Sequence, residues 1–358
     1  MISDPAALSE LVAGLQSCDT IAMDTEADSL HCYFEKVCLI QITAAGRNSL
    51  VDPLAQLDLQ PLLHTAASKR LVFHGADYDL RLLHRIGTFE PRDLFDTMIA
   101  ARLTGKPALG LAALVKQYFG VELSKASQKA NWAIRPLPAQ MVDYAHNDTR
   151  YLIELASILE GDLKNLGRLG WFTESRDRMV AASRETKERD ESTVWRITGS
   201  SALSPRAQAV LRILWFWRDA EARAWDRPPF HIIGNDEMLR TAKLVAEGGA
   251  FSTPRMNTRR RKSFEVVVNL ALQIPEKEWP KTEKPQRRRT TREQQKRFED
   301  LKKTRDRIAA DLGLESSIIA PRGALEAVAA DPSSPALMDW QRQLLGLEIQ
   351  ASKKARAA

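Results

Sequence analysis

Three short segments of this sequence end in side chains that could bind a metal ion together. They supply four carboxylates and one phenol, namely Asp24, Glu26, Asp79, Asp148 and Tyr144. Residues two apart on a strand point to the same face, so Asp24 and Glu26 would project side by side. Two carboxylates that close raise each other's pKa unless a cation lies between them. The pair therefore predicts a hard divalent metal ion with oxygen ligands.

The segments around these residues predict the elements that position them. The mostly apolar run 20–26 favours a strand that ends in the two acids. The run 70–73 favours a short buried strand that passes into helical periodicity, so Asp79 would lie on the first turn of a helix. Tyr144 and Asp148 are four residues apart, which places both on one helix face.

Each motif also has an ordinary explanation when it is taken alone. An Asp-x-Glu sequence after a strand is usually an exposed loop, because carboxylates are mostly surface residues. Asp79 would be a first-turn acid favoured by the helix dipole. Tyr144 and Asp148 would be a solvated helical pair. The order, separation and structural context of the three motifs favour a joint functional interpretation.

Taken together, these motifs resemble ribonuclease D, in the tyrosine-bearing branch of the DEDD exonuclease superfamily. The first family motif is matched by residues 24–26 and its extension by 39–42, the second by 74–80, and the third by 144–148. The segments 109–114, 123–125 and 132–137 are similar to the family's next helix and loop. One departure is Asn131, which stands where many members carry Asp before the tryptophan. We expect Asn131 to modify the edge of the site without abolishing the chemistry. For Trp132 and Arg135, we expect roles in packing and a local salt bridge at least as much as in substrate contact.

The resemblance implies a role for each motif residue around two divalent cations, Mg²⁺ or Mn²⁺, about 4 Å apart. Asp24 would bridge both ions, and Glu26 and Asp148 would complete the ligands of the first. Asp79 would hold the second through water. Tyr144 would orient the attacking water, because a phenol with a pKa near 10 is a poor base at neutral pH.

The spacing of the strands predicts an α/β fold with a mixed sheet flanked by helices. Strands around Ile21, Leu39 and Leu50 follow one another closely, which predicts antiparallel neighbours, and later helical crossovers predict parallel additions. The resemblance implies the same ribonuclease H-like architecture, followed by one or two small all-helical bundle domains.

The length of 358 residues suggests two or three domains. The sequence predicts an exonuclease domain over 1–175, a charged helical connector over 176–202 and a helical domain over 203–285 that resembles the helicase and RNase D C-terminal domain. A weaker bundle of similar type is predicted over 290–352, with a tail over 353–358. We expect the aromatic residues of the first bundle to be core residues more often than stacking platforms.

Positive charge is concentrated in one part of the chain. Residues 255–307 hold 18 Lys and Arg against 8 Asp and Glu, whereas the whole chain has a net charge of only +6. Clustered bases bind phosphates without sequence preference, although a solvated face is the alternative. The predicted nucleic-acid-binding residues are Arg259, Arg260, Arg261, Lys262, Arg287, Arg288 and Arg289.

Composition and missing motifs exclude several other classes of protein. Cys18, Cys32 and Cys38 are odd in number and lack metal-ligand spacing, which favours a reducing compartment. Residues 1–5 predict a helix cap and start, not a signal peptide, and no apolar run approaches the roughly 18 residues of a membrane span. No phosphate-binding glycine loop, nucleophile elbow or zinc motif occurs. We therefore predict a cytoplasmic monomer without a membrane partner.

The predicted function is a metal-dependent 3′→5′ exoribonuclease that releases 5′-monophosphates. The resemblance suggests transfer RNA precursors and other small structured RNAs with 3′ tails as substrates. A DNA 3′→5′ exonuclease is the first alternative, because discrimination depends on contacts to the 2′-hydroxyl that spacing does not fix. A catalytically silent RNA-binding protein is the second.

Overall fold

The computed structural model describes residues 1–185, 189–250, 256–281 and 290–347. Within them the chain divides into two compact units. The sheet unit comprises 1–27, 37–185 and 290–347, and the helical unit comprises 28–36, 189–250 and 256–281. The predicted basic residues Arg287, Arg288 and Arg289 and the predicted tail 353–358 lie outside the described residues.

One mixed sheet forms the centre of the sheet unit. Its strands are β1 (Thr20–Ala27), β2 (Val37–Ala44), β3 (Arg47–Val51), β4 (Arg70–Phe73) and β5 (Asp93–Asp96). They lie in the order β3-β2-β1-β4-β5. The β1, β2 and β3 neighbours are antiparallel, whereas β4 and β5 add in parallel. The predicted mixed α/β sheet is thereby confirmed, although the sequence interpretation had not named β5.

Fifteen α-helices are found among the described residues. They are α1 (Pro5–Gln16), α2 (Gln60–Ala67), α3 (Asp77–Ile86), α4 (Thr97–Leu103), α5 (Leu111–Phe119), α6 (Ala139–Arg150), α7 (Leu152–Asn165), α8 (Leu169–Ser183), α9 (Pro205–Trp225), α10 (Asn235–Ala246), α11 (Thr258–Leu272), α12 (Arg292–Leu312), α13 (Ser316–Ile319), α14 (Arg322–Ala330) and α15 (Asp339–Leu344). Among them, α8 continues through the predicted domain boundary at residue 175. No helix of the described chain is both long and apolar enough to cross a membrane.

The central strand β1 explains why the sheet is covered on both faces. Ile21 and Met23 are buried in a core shared with α1, α2 and α3. Ala22 faces the other way, into a core with α4 and α7. Because side chains alternate along a strand, Asp24 and Glu26 continue the face of Ala22. The apolar pattern therefore sets the side of the sheet from which the acids project.

The C-terminal helices belong to the sheet unit. Leu301, Leu325 and Trp340 share one hydrophobic core with residues of α4, α7 and α8. The indole rings of Trp171 and Trp340 stack with their centroids 4.7 Å apart. Arg168, which is almost fully buried, donates hydrogen bonds to the carbonyl oxygens of Leu103 and Leu312 at 2.7 and 3.1 Å. The domain limits predicted from sequence stay predictions, but these contacts join 290–347 to the sheet.

The helical unit is built on α9, α10 and α11. Leu214, Trp217 and Phe264 are buried at its centre, and the Trp217 indole donates to the Ser263 hydroxyl at 2.9 Å. Residues 28–36, which connect β1 to β2, belong to this unit. Most aromatic side chains of α9 are thus core residues.

Candidate active site

Three of the predicted acids meet at the carboxyl end of β1. Asp24 and Glu26 lie on that strand and Asp148 lies on α6. One carboxylate oxygen from each lies within 4.8 Å of the others. All three side chains are half-buried. Three carboxylates at this separation form a set of oxygen donors suited to one divalent cation.

Asp79 reaches the same strand through Thr25. It lies on the first turn of α3, as predicted, and is almost fully buried. One Asp79 carboxylate oxygen accepts a hydrogen bond from the Thr25 hydroxyl at 2.5 Å and another from the Thr25 backbone N–H at 3.0 Å. Asp79 is not part of the group of three acids, yet it is close enough to raise the pKa of Asp24, Glu26 and Asp148.

The turn that leads into α3 is held by another buried carboxylate, that of Asp96. Its two oxygens accept hydrogen bonds from the backbone N–H groups of Gly75 and Ala76 at 3.2 and 2.8 Å. One of them also caps α4 by accepting from Met98 and Ile99 at 2.8 and 2.9 Å. Gly75 has φ +81°, and a Cβ there would lie 3.0 Å from the Met98 methyl carbon. Both constraints favour glycine at this position.

The helix that carries Tyr144 and Asp148 is fixed to the sheet next to its acid. The hydroxyls of Thr149 and Thr43 lie 2.7 Å apart, and both residues are buried. One turn before Thr149 on α6, Ala145 packs in a small core with Leu39 of β2. The turn of α6 that holds Asp148 is therefore set by contacts with β2.

Burial raises the pKa of every acid in the site, and repulsion by neighbouring acids raises the pKa of Asp24, Glu26 and Asp148 further. The pKa of Asp24 lies well above its ordinary value, because of burial first and then the charges of Asp79, Asp148 and Glu26. Burial and the neighbouring acids raise the pKa of Glu26 to about 9. Burial, with the charge of Asp79, raises that of Asp148 to about 7. Burial also raises the pKa of Asp79 to about 7 against the opposing hydrogen bonds from Thr25.

Tyr144 faces these acids as a neutral phenol. Burial, followed by the charges of Asp148, Glu26 and Asp24, raises its pKa, and a hydrogen bond with Gln128 opposes the rise only in part. A phenol with a raised pKa keeps its proton at neutral pH and can donate a hydrogen bond. The electrostatics are therefore those of an orienting group and not of a base.

Trp132 and Arg135 have packing contacts. Trp132 is buried, and its ring centroid lies 5.9 Å from that of Tyr144. Arg135 forms a two-point pair with Asp52 at 2.7 and 2.6 Å and donates to the Cys38 carbonyl at 2.6 Å. Asn131, the departure from the family pattern, accepts a hydrogen bond from a nearby backbone N–H at 3.1 Å. These contacts favour a structural role for Trp132 and Arg135.

The residues present fit a divalent cation. The donors are all carboxylate oxygens, and burial together with mutual repulsion, which a cation would relieve, raises their pKa values. Gln41 lies opposite Asp24 in the β1–β2 register and is fully buried. Its side-chain amide has no hydrogen-bond partner among the described residues, so an unpaired polar group also lies beside the acids.

The predicted basic residues of α11 differ in their surroundings. Arg260 pairs with Glu221 at 3.1 Å and is largely buried, whereas Arg259 is exposed and contacts the same carboxylate at 3.5 Å. Arg261 and Lys262 are exposed. Arg260 is therefore part of the helical unit's own structure.

Thr25 and Asp96 are the residues that sequence reasoning missed. Thr25 stands between the two acids of the first motif, and its position offered no sign that it binds Asp79. Asp96 followed by Thr97 is a sequence typical of a helix N-cap. That signal could have located α4, but not the second hydrogen-bonding role toward Gly75.

Comparison with known proteins identifies relatives of the sheet unit and of the whole fold. Residues 1–164 match the protein family described as 3′–5′ exonuclease. The chain is 29% identical to ribonuclease D of Bartonella henselae over 68% of its own length and 60% of that protein. It is 28% identical to ribonuclease D of Nitrobacter hamburgensis over 100% of its length and 96% of that protein.

One of the similar solved structures is that of Escherichia coli RNase D, described as an exoribonuclease involved in structured RNA processing. It shares 23% sequence identity with this chain at a TM-score of 0.69, and the match covers 98% of this chain and 92% of that chain. At this level of identity the likeness shows the fold, which includes the helical region after the sheet.

Proposed function

We propose that this chain is a 3′–5′ exonuclease of the ribonuclease D type, which hydrolyses RNA from its 3′ end and releases 5′-monophosphates. The observation that carries the proposal is the group formed by Asp24, Glu26 and Asp148, whose oxygens lie within 4.8 Å of one another. The neutral Tyr144 hydroxyl faces these acids. Oxygen donors beside a hydrogen-bond donor suit hydrolysis of a phosphodiester.

Each acid has a place in metal binding under this proposal. Asp24, Glu26 and Asp148 would hold one divalent cation, and Asp24 together with Asp79 would hold a second. Mg²⁺ and Mn²⁺ suit an all-oxygen site better than Zn²⁺. When bound, such ions lower the pKa of a bound water and stabilise the leaving 3′ oxygen.

The protein's own groups position the reactants. Tyr144 donates a hydrogen bond that aims the attacking water at the terminal phosphodiester. Thr25 keeps the Asp79 carboxylate pointing at β1 through two hydrogen bonds. The contact between the Thr43 and Thr149 hydroxyls fixes the position of Asp148 relative to the sheet. Positioning of this kind removes the entropy cost of assembling the site at the moment of reaction.

The proposed substrates are transfer RNA precursors and small structured RNAs with 3′ tails. Support comes from the family and from the Escherichia coli relative, which is described as acting in structured RNA processing. Exposed Arg259, Arg261 and Lys262 supply salt-sensitive phosphate binding on the helical unit. Location in the cytoplasm and a monomeric state remain predictions from sequence.

The test uses a hairpin RNA with a single-stranded 3′ tail, labelled at its 5′ end, and the DNA of the same sequence. We expect a ladder that shortens from the 3′ end in Mg²⁺ or Mn²⁺, is absent in EDTA and is weaker on DNA. Asp24→Asn should abolish cleavage of the RNA and leave its binding intact.

Matched controls exist on the same helices as two of the acids. Asp143 on α6 and Asp77 on α3 are exposed acids outside the group of three. Asp143→Asn and Asp77→Asn should leave cleavage unchanged, whereas Asp148→Asn and Asp79→Asn should abolish it. Preference for DNA would support a DNA exonuclease, and tight binding without cleavage in either metal would support a silent RNA-binding protein.

A further inference from the structure

Three large aromatic side chains of the helical unit, as far as the structure describes it, are exposed where a folded protein usually buries them, namely Phe34, Trp225 and Phe230. Phe34, in the segment between β1 and β2, is 52% exposed, and Trp225, the last residue of α9, is 49% exposed. Other aromatic residues of this unit, such as Trp215 and Trp217, are buried in its core. The exposure of Phe34 and Trp225 therefore needs a reason other than packing.

Asp226 fixes the backbones of both aromatic residues. It follows Trp225 directly and ends α9 in the left-handed conformation with φ +48°. Its carboxylate oxygen accepts hydrogen bonds from the backbone N–H groups of Tyr33 and Phe34, each at 3.0 Å. One carboxylate thus ties the segment that carries Phe34 to the end of the helix that carries Trp225.

The segment 28–36 is held in one conformation by its own contacts. Asp28 links the two ends of the segment, because its carboxylate accepts a hydrogen bond from the Lys36 backbone N–H at 2.8 Å and pairs with the Lys36 ammonium at 3.1 Å. The Cys32 thiol donates to the Phe34 carbonyl at 3.2 Å. The Tyr33 hydroxyl donates to Asp219 on α9 at 3.0 Å. Phe34 is therefore presented by an ordered segment, so binding would cost little conformational entropy.

Arginine side chains surround the Phe34 and Trp225 rings. The Arg223 guanidinium lies 5.9 Å from the Phe34 ring centroid. The guanidinium groups of Arg227 and Arg260 lie 5.9 and 4.6 Å from the Trp225 ring centroid. Arg260 is neutralised by Glu221, but Arg223 makes no ion pair among the described residues. Flat apolar rings beside positive charge match a nucleotide, which offers a base to stack and a phosphate to pair.

We propose that Phe34 and Trp225 form a stacking surface for unpaired bases of the RNA substrate, with Arg223 and Arg227 contacting the adjacent phosphates. We call it the Phe34–Trp225 surface. It rests on the proposed function in that RNA is the ligand, and it adds a binding surface beyond the acids and the basic residues of α11. A protein partner would also cover exposed rings, but the arginines beside them favour an anionic ligand with planar bases.

The experiment measures binding of a 5′-labelled, 12-nucleotide oligouridylate to the full-length protein in EDTA, by fluorescence anisotropy. Phe34→Ala and Trp225→Ala should each raise Kd about fivefold or more, as expected when one base loses its stacking partner. Trp225→Phe should retain most of the affinity, because it keeps a flat ring. Trp225→Leu, which is apolar but not flat, should bind as weakly as Trp225→Ala.

Two controls make the outcome specific. Val266 is 57% exposed on α11 and has no aromatic ring, so Val266→Ala should leave Kd unchanged. Leu270 is 54% exposed on the same helix, so Leu270→Ala should likewise leave Kd unchanged. An unchanged Kd in Phe34→Ala and Trp225→Ala, or wild-type binding by Trp225→Leu, would overturn the Phe34–Trp225 surface.

The two proposals fail in different ways. Wild-type protein that binds the oligouridylate but cleaves no RNA in any metal would reject the proposed function and leave the stacking surface standing. Wild-type protein that cleaves RNA while both alanine variants bind normally would reject only the surface. A change in oligomeric size in Trp225→Ala, with RNA affinity unchanged, would show that a second copy of the chain covers these rings and would also overturn it.

Discussion

Thr25 holds the Asp79 carboxylate with its hydroxyl at 2.5 Å and its backbone N–H at 3.0 Å. The side chain of Thr25 points to the opposite face of β1 from Asp24 and Glu26, because side chains alternate along a strand. Residues 24–26 therefore supply two acids to one face of the sheet, and Thr25 binds a third acid, Asp79, with its side chain on the other face. Each residue of the first motif has its own task.

Removal of the Thr25 hydroxyl should impair the site without removing an acid. Thr25→Val keeps the shape of the side chain, but leaves Asp79 with the backbone donor alone. Loss of a group that orients a metal ligand typically costs about 10- to 100-fold in metal affinity or activity. We expect a loss in that range in metal titrations and in RNA cleavage.

Thr25→Ser is the matched control, because it retains the hydroxyl. It should keep most of the activity, and its metal affinity should stay near that of the wild type. Equal activity of Thr25→Val and wild-type protein would show that the two hydrogen bonds to Asp79 are not needed for its orientation.

The stability of the metal-free protein should fall as pH rises. The folded-state pKa of Asp79 and of Asp148 is raised to about 7, and that of Glu26 to about 9. Because these values lie above those of an unfolded chain, the folded state keeps protons that the unfolded state releases, and stability is lost as pH passes through the folded-state values. We expect the melting temperature in EDTA to fall between pH 6 and pH 9.

Divalent cations should reverse this loss, since the bound ion favours the charged carboxylates. The rise in melting temperature on adding Mn²⁺ should therefore be larger at pH 8.5 than at pH 6. Asp148→Asn should raise the melting temperature of the metal-free protein at pH 8.5, because it removes one repelling charge. A metal-free melting temperature that rises with pH over this interval would contradict the assignment.

Asp96 should matter for stability far more than an ordinary helix cap. It is buried and accepts four backbone hydrogen bonds, so Asp96→Ala would leave several N–H groups without an acceptor. We expect a loss of about 2–4 kcal/mol in the free energy of unfolding, measured by urea titration. Asp4→Ala, which removes the exposed cap of α1, should cost only about 1 kcal/mol.

The C-terminal helices should be needed for the stability of the sheet unit. Trp340 is buried against Trp171, so Trp340→Ala should lower the free energy of unfolding by about 3–5 kcal/mol. Deletion of residues 290–358 would expose the core that these helices share with α4, α7 and α8 and should lower the melting temperature of the sheet unit. An unchanged melting temperature after this deletion would show that residues 290–347 add nothing to that core. Val266→Ala, at an exposed site, should have little effect.

Residue spacing was enough to predict which residues could form the site and which elements carry them. Asp24 and Glu26 had to share a strand face, and Tyr144 and Asp148 a helix face, because these relationships depend only on the periods of a strand and a helix. The antiparallel pairing of β1, β2 and β3 was also accessible, since short connections favour antiparallel neighbours. Local geometry is repeated in every protein, so spacing alone predicts it.

The distant groups that support those residues became visible in the folded chain and not in the spacing. Thr25 and Asp79 are 54 positions apart, and Asp96 joins two turns through hydrogen bonds that no short period encodes. The segment 28–36 joined the helical unit, and residues 290–347 joined the sheet unit, against the order of domains along the chain. These partners are selected by complementary shape and by the need to pair buried polar groups, which depend on the whole fold.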